Sequence, residues 1–544
     1  MAELKKGQGL RQSMAWLHTW SGLLVCWVLF LVFCSGTASY VKDEITLWMK
    51  PELHGSLDAR VSAADAAQRA YDFLQREAPN AERWIISLPD DRRPGIFVRW
   101  LRQPTPEDAG KGNRARLEAR TLDAVTGAPT PGARETRGGE FLYRLHFDLH
   151  YMPAIWGRWI VGVCAMFMLV AIVSGVITHR RIFADFFTFR ARKGQRSWLD
   201  AHNAVAVLAL PFHLMITYTG LVTLLFMYMP WGIQAVYKGD EKAFTTELGA
   251  RAPRVKAAKE SGPLAPIGPM LTQAAARWNG APPQRIIVDR PNNANASVSL
   301  TREAGRSITD TAPAMVFSGT TGALQASLGE ELAAASATRG TMVGLHLAHF
   351  APPLLRALFF ASGLAGALMV ATGALLWAVK TRQSHAKRIA VSGRTPFGLR
   401  LVEALNLGVI AGLPIAFAAY FWANRLLPVD IAKRPDMEIQ AFFGAWALAA
   451  LLAQWQPSRA MWRVLLGTGA VLFAGLPVLN VFTTTTHLGV TLFHGPAVVA
   501  GFDMTVLALG VGLGAAAWML GRPKAAPRKA MAPRVVGGAG EASQ

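Results

Sequence analysis

Of the twelve histidines in this chain of 544 residues, seven lie at the ends of the first four long apolar stretches, and an eighth, His213, lies inside the third. An ionisable ring at membrane depth is costly unless something pairs with it, so its presence there points to a site. The spacing selects pairs. His18 and Gly36 are repeated as His202 and Gly220 at an offset of 184 residues, and Arg158 and Gly175 as Arg356 and Gly373 at an offset of 198. Each glycine follows a serine or threonine: Ser35-Gly36, Ser174-Gly175, Thr219-Gly220 and Thr372-Gly373. Small residues there let a helix, or a flat macrocycle, approach the backbone closely. Two imidazoles carried by facing helices at one depth are the axial ligand set of haem b. His18 and His202 make one such pair near one membrane face. His150, eight residues before Arg158, and His349, seven before Arg356, make a second pair near the other face. The resulting expectation is two haems b stacked into an electron path through the bilayer, their iron held by His18, His202, His150 and His349.

The choice within each cluster stays open at this level. His146 and His346 stand about one helical turn from His150 and His349, so either is able to replace its neighbour. His213 is eleven residues past His202, roughly 16 Å along the same helix face, which brings it to the depth of the second haem. His179 has no repeat partner and is an alternative ligand of the first haem or a propionate contact. The other histidines read as ordinary: His54 and His385 as interfacial or capping residues, His487 and His494 likewise near the ends of later spans. Asp503, early in the last span, is a functional candidate that an interfacial position also explains. Arg158, Arg180, Arg181 and Arg356 fall where propionates would project, and serve equally as topology markers.

The elements that must position these residues are apolar runs. Uncharged stretches long enough to cross about 30 Å of hydrocarbon run over Trp16–Tyr40, Trp159–Thr178, Ala201–Tyr228, Ala357–Val379, Ala404–Ala423, Ala441–Trp455, Val464–Phe482 and Ala497–Leu520. The first is long, lacks a small-residue cleavage site and carries a histidine near its start, unlike a cleaved signal peptide. Lys5, Lys6 and Arg11, the run Arg180–Arg196, the run Lys380–Arg400 and the cluster from Arg522 fall on one side if eight spans alternate, which makes that side cytoplasmic. Two long segments then lie outside. One reads as a helix over Ala63–Ala78 followed by "RWIISLPD", "GIFVRWLR" and "ARTLDAVTG"; the other as a helix over Leu264–Trp278 followed by "QRIIVDRP", "ASVSLTRE" and "PAMVFSGTTG". Each is a helix and three short alternating or β-branched runs closing in a Thr-Gly turn, a small α+β module used twice.

The expected fold class is therefore an integral membrane, mostly α protein, a bundle of about eight transmembrane helices with two small α+β modules outside. Residues 1–40 are the cytoplasmic N-terminus and first span, 41–155 the first module, and 156–230 the second and third spans with their loop. Residues 231–350 form the second module, 351–380 the fourth span, 381–521 four further spans, and 522–544 a disordered cytoplasmic tail rich in Ala, Pro and Lys. Span–module–span occurs twice in one orientation, so its copies are related by a pseudo-twofold axis along the membrane normal. The four later spans have no partner in the repeat.

Composition agrees with this class and excludes others. Hydrophobic residues make up 52% of the chain, too many for an ordinary soluble enzyme of this size. The formal charge of +21 gathers in short segments flanking apolar runs rather than on a basic face with interleaved aromatics, which argues against nucleic acid. The three cysteines, Cys26, Cys34 and Cys164, lie inside apolar runs, and no C-x-x-C-H occurs, so covalent haem, an iron–sulfur cluster and a zinc site lack support. No glycine-rich phosphate loop opens a helix, so neither nucleotide nor flavin binding is expected.

Four segments carry a family resemblance: "LHTWSGLL" at Leu17–Leu24, "RLHFDLHYMPAIWGRWIVG" at Arg144–Gly162, "SGVITHRRIFADFFTFR" at Ser174–Arg190 and "RSWLDAHNAVAVLALPFHLMITYTGLV" at Arg196–Val222. With the two outside modules, the chain over about residues 10–382 resembles the PepSY-associated transmembrane family. The resemblance implies PepSY-like periplasmic modules, an inner-membrane location and the activity of a di-haem b reductase of ferric siderophores or other Fe(III) chelates. It implies His18, His202, His150 and His349 or His346 as ligands, with His213, His179 and His146 as further candidates. A quinone or a cytoplasmic reductase would supply the electrons. Two other classes are a permease for a metal chelate and a sensory or inhibitory protein using PepSY-like modules on a passive anchor. A permease calls for broken helices with polar residues at mid-membrane; the sensory reading leaves the paired histidines unexplained.

Overall fold

A computed structural model describes residues 9–522 except 57–60, 91, 109–115, 131, 180–189, 191–193, 241–242, 245–255, 304 and 306. Arg180, Arg181 and the tail expected to be disordered, apart from Arg522, lie outside the described residues. The apolar runs form helices α1 (Leu10–Ser39), followed by the short α2 (Lys42–Trp48), and, after the first outside segment, α4 (Gly138–Asp148) and α5 (Ala154–Thr178). The outside segment itself contributes α3 (Ala63–Glu77), whose cap Ser62 accepts from the Asp65 N–H, as a serine before an apolar run should. The second copy runs α6 (Gln195–Leu208), α7 (Leu210–Thr223), α8 (Ile267–Arg277), α9 (Ala334–Leu347) and α10 (Pro353–Ser384). Four helices follow: α11 (Phe397–Leu426), α12 (Arg434–Trp455), α13 (Arg459–Thr483) and α14 (Ala497–Gly521). Among the described residues, seven helices are long and apolar enough to cross a membrane. The protein is a multi-pass membrane protein.

The eighth expected span departs from a single helix. It is the pair α6 and α7, bent by 68° where they meet. Pro211 accounts for the break: it has no N–H to give the Val207 carbonyl one turn earlier, and its ring clashes there. In α11, residues Leu407–Ala411 form a π-helical turn. Beside it Asn406 accepts from Trp27 Nε1 at 2.9 Å and donates to the Ala374 carbonyl at 3.2 Å, tying the C-terminal helices to α1 and α10.

The outside segments differ from two separate modules. Their strands β1 (Arg83–Ser87), β2 (Ile96–Leu101), β3 (Leu117–Leu122), β4 (Pro283–Asp289), β5 (Ser297–Arg302), β6 (Ala314–Ser318) and β7 (Leu324–Leu328) make one seven-stranded sheet in the order β3-β2-β1-β4-β5-β6-β7. The two halves fuse through antiparallel β1 and β4, with Ile85 opposite Ile287 and Ile86 opposite Ile286. That register is self-complementary, as a twofold axis between the strands demands. An ion pair, Arg83 to Asp289 at 2.6 Å, closes the seam. One face of the sheet, including Trp84, Ile86, Val98, Ile286, Val288 and Phe317, is buried against α3 and α8. The small Ala66, Ala67 and Ala70 let α3 lie close to it. The second half carries a fourth strand, β7, for which Leu324–Leu328 gave little apolar alternation and which lies exposed at the sheet edge.

Candidate functional site

Four of the eight candidate histidines come together as two pairs. His18 on α1 faces His202 on α6 with ring centroids 6.2 Å apart, near the helix ends that carry the basic residues. His146 on α4 faces His346 on α9 with centroids 6.0 Å apart, on the side of the sheet. His18 and Val32, which mark the two levels on α1, are fourteen residues apart, so the pairs are separated by about 21 Å along that helix.

Each ring is held the same way. Nδ1 of His18 lies 2.8 Å from the Ala171 carbonyl, that of His146 2.8 Å from Val32, that of His202 2.9 Å from Met369 and that of His346 3.1 Å from Ile216. Every one of these carbonyls stands four residues before one of the repeated glycines, Gly175, Gly36, Gly373 and Gly220 respectively. The physical reason is the direction of helical side chains. A side chain covers the turn N-terminal to its own Cα, so a glycine leaves the carbonyl of that turn bare. A Cβ at Gly36 would stand 2.7 Å from His146, at Gly220 2.9 Å from His346, at Gly175 3.0 Å from His18 and at Gly373 3.2 Å from His202. The preceding Ser35, Ser174, Thr219 and Thr372 turn their hydroxyls back onto carbonyls of their own helices at 2.6–2.7 Å.

The chemistry of this donor set is specific. With Nδ1–H given to a backbone carbonyl, Nε2 is the nitrogen left to meet a metal, the arrangement that metal-bound histidines use. Two imidazoles bonded to one metal at about 2 Å each place their centroids roughly 6 Å apart, which matches both pairs. Among the described residues no group of three or more His, Cys, Asp or Glu converges on a metal position. Two facing imidazoles supply the two axial positions of a six-coordinate iron, and a porphyrin fills the other four. The residues present therefore fit haem at both pairs.

The geometry favours His146 and His346 over the pair that spacing put first. α4 ends at Asp148 and α9 at Leu347, and the chain turns through positive φ at Leu149, Tyr151 and Ala348. His150 and His349 thus lie beyond their helices. His150 stacks on Phe443 of α12 with centroids 5.4 Å apart. His349 is 3.8 Å from Asp310 with 54% of its side chain exposed. His179 follows α5 one turn beyond Gly175, and its backbone N–H donates to the Gly175 carbonyl. Arg158 and Arg356 are engaged with carboxylates, Asp148 at 2.7 Å and Glu44 at 2.6 Å. His54 is buried and caps the end of α2, with Nε2 2.8 Å from the Leu47 carbonyl and Nδ1 against the Thr486 hydroxyl.

His213 joins neither pair. It is fully buried at the α6–α7 break against Phe33 and Phe212, and its ring nitrogens have no well-formed hydrogen bond, only looser approaches to the Ser362 and Ala206 backbone. The repeat offset of 184 puts the apolar Leu29 at the matching position of α1. Replacing His213 by leucine should therefore relieve about 1 kcal/mol or more of desolvation cost and raise the thermal midpoint of the purified protein. A lower midpoint would contradict this reading.

Sequence reasoning missed a buried polar network that joins the C-terminal helices to the first half: Asn424, Arg425, Arg434, Glu438 and Asn480, together with Asp503. Asp503 is wholly buried within the protein. Its carboxylate accepts from Trp48 Nε1 and from Asn480 Nδ2, both at 2.9 Å. Asparagines within apolar runs were the available signal; arginines at span ends read as topology markers.

Fold and site define a class, a multi-pass membrane protein with a duplicated half that brings histidines together in facing pairs. The description "PepSY-associated TM region" matches residues 15–380, and the chain belongs to that family. It is also similar to an uncharacterized protein of Pseudomonas aeruginosa, 28% identical over 401 residues that span 70% of this chain and 94% of that protein.

Proposed function

We propose that the protein is a di-haem b reductase of the bacterial inner membrane. It passes electrons from a donor on the basic, cytoplasmic side, a quinol or a soluble reductase, to a ferric siderophore or other Fe(III) chelate on the periplasmic side. The observation that carries this reading is the fourfold recurrence of one device, histidine Nδ1 on the carbonyl exposed by a glycine, in two facing pairs. His18 and His202 would hold one haem, His146 and His346 the other, and a bound haem would supply a one-electron iron couple at each level. The chain does the rest. The carbonyls of Ala171, Met369, Val32 and Ile216 fix each ring's tautomer and plane. The core that the same helices bury, including Val25, Leu29, Met168, Val370 and Ala371, is apolar, which would exclude water and keep charge on the path.

The sheet, read as a fused pair of PepSY-like modules, stands over the second pair and would seat the chelate. Each iron takes one electron; Fe(II) binds hard oxygen donors more weakly than Fe(III), so reduction releases it for uptake. Proteoliposomes with dithionite inside and a ferric chelate outside test the proposal. The expected result is external Fe(II) formation that depends on the protein and falls at least tenfold in His202→Ala. Equal rates with and without protein would refute it.

A further inference from the structure

The four C-terminal helices hold one member of the sheet-side pair and not the other. Tyr420 donates its hydroxyl to the Gly138 carbonyl at 2.9 Å, at the first residue of α4. Phe141, one turn on, packs against Tyr420, Phe442 and Phe443. The chain leading into α4 is gripped residue by residue. Arg134 donates to the Asn424 carbonyl at 2.8 Å, the Glu135 carbonyl accepts from Arg434 at 3.0 Å, and the Thr136 hydroxyl donates to Glu438. Behind this layer Arg425 lies 3.8 Å over the Trp48 ring and Asn480 links Arg425 to Asp503, so all four helices α11–α14 contribute. Arg434 and Glu438, paired with each other, are both almost wholly buried.

The repeat provides a control. α9, the counterpart of α4, has its described hydrogen bonds and ring contacts with α7, with the 308–311 segment, with Phe226 and with His146. None of them reaches a residue beyond 396. Removing one partner of a buried charge pair leaves the other uncompensated and is strongly destabilising, so the network ties these helices to the segment it grips. It is spent here on the start of α4, two turns before His146.

We propose that α11–α14 act as a one-sided positioning block, fixing α4 and through it the plane and depth of His146, while His346 is held by its own half alone. The ligand role of His146 rests on the proposed function; the mechanical asymmetry does not.

Hydrogen exchange on the full chain in nanodiscs tests it, comparing peptides from 138–148 and 334–347 in Tyr420→Phe and Glu438→Ala. Exchange in 138–148 should rise several-fold in Tyr420→Phe, for one lost hydrogen bond, and more than tenfold in Glu438→Ala, with 334–347 unchanged. If Glu438→Ala fails to fold, Tyr420→Phe decides. With haem bound, the low-spin electron paramagnetic resonance signal of the sheet-side pair should move and that of the other pair stay. Unchanged exchange in 138–148, or equal loosening of both peptides, would overturn the block. A haem-free protein would sink the proposed function and leave the exchange comparison to judge the block by itself.

Discussion

Replacing His202 by alanine should halve the haem content, from two haems b per chain to one, as read by pyridine haemochrome absorbance against protein mass. The imidazole is one of the facing pair on the basic side, and His18 alone would leave an iron with an open axial position in an apolar wall. Thr372 beside it offers only a hydroxyl, 3.3 Å from Nδ1, and full retention of haem would point to His179 as the replacement ligand. His346→Ala should remove the other haem, and the double variant both. His150→Ala and His349→Ala should keep two. That last comparison separates the two ligand sets directly, because His150 lies against Phe443 and His349 beside Asp310. Loss of haem in His150→Ala with retention in His346→Ala would reverse the assignment.

The second large effect is expected at a residue with no side chain. Gly36→Val should cost the sheet-side haem more than tenfold in affinity while sparing the other. A Cβ there stands 2.7 Å from both Cε1 and Nδ1 of His146, so the branched side chain must push the ring off the Val32 carbonyl. Displacing such a supporting partner typically costs 10–100-fold in metal affinity, and overpacking adds about 1–3 kcal/mol. The four glycines form a graded series. Gly373→Ala meets His202 at 3.2 Å and should be the mildest alanine substitution, Gly36→Ala the most severe. Haem titration of the apo variants, followed at the Soret band, measures the order. Four equal affinities would mean that the glycines do not set the rings.

Much of this arrangement was legible in the residues, and the parts that were not have physical causes. The eighteen-residue spacing from His18 to Gly36 recurs without insertion from His202 to Gly220, so one offset carried both the histidine and the glycine even across the α6–α7 break. At the other face the offset drifts, from 200 between His146 and His346 to 198 between Arg158 and Arg356, because the links after α4 and α9 turn differently. Counting back from the arginines therefore landed on His150 and His349, past the helix ends. The Ser/Thr-Gly pairs marked close approach correctly, but spacing alone does not say which ring approaches. Pro211 stood in plain view as a breaker, yet the apolar run around it is long enough to pass for one span. The fusion of the two outside segments through Ile85 and Ile287 depends on pairing between residues about two hundred apart, which no local pattern reports. The grip of Arg425, Arg434 and Glu438 on Trp48 and α4 is equally non-local.

Haem bound per chain of the purified wild-type protein is the most direct measurement. Two haems b, both low-spin with two imidazole ligands, are predicted. A folded chain that comes out colourless and takes up none of an added haem would contradict it.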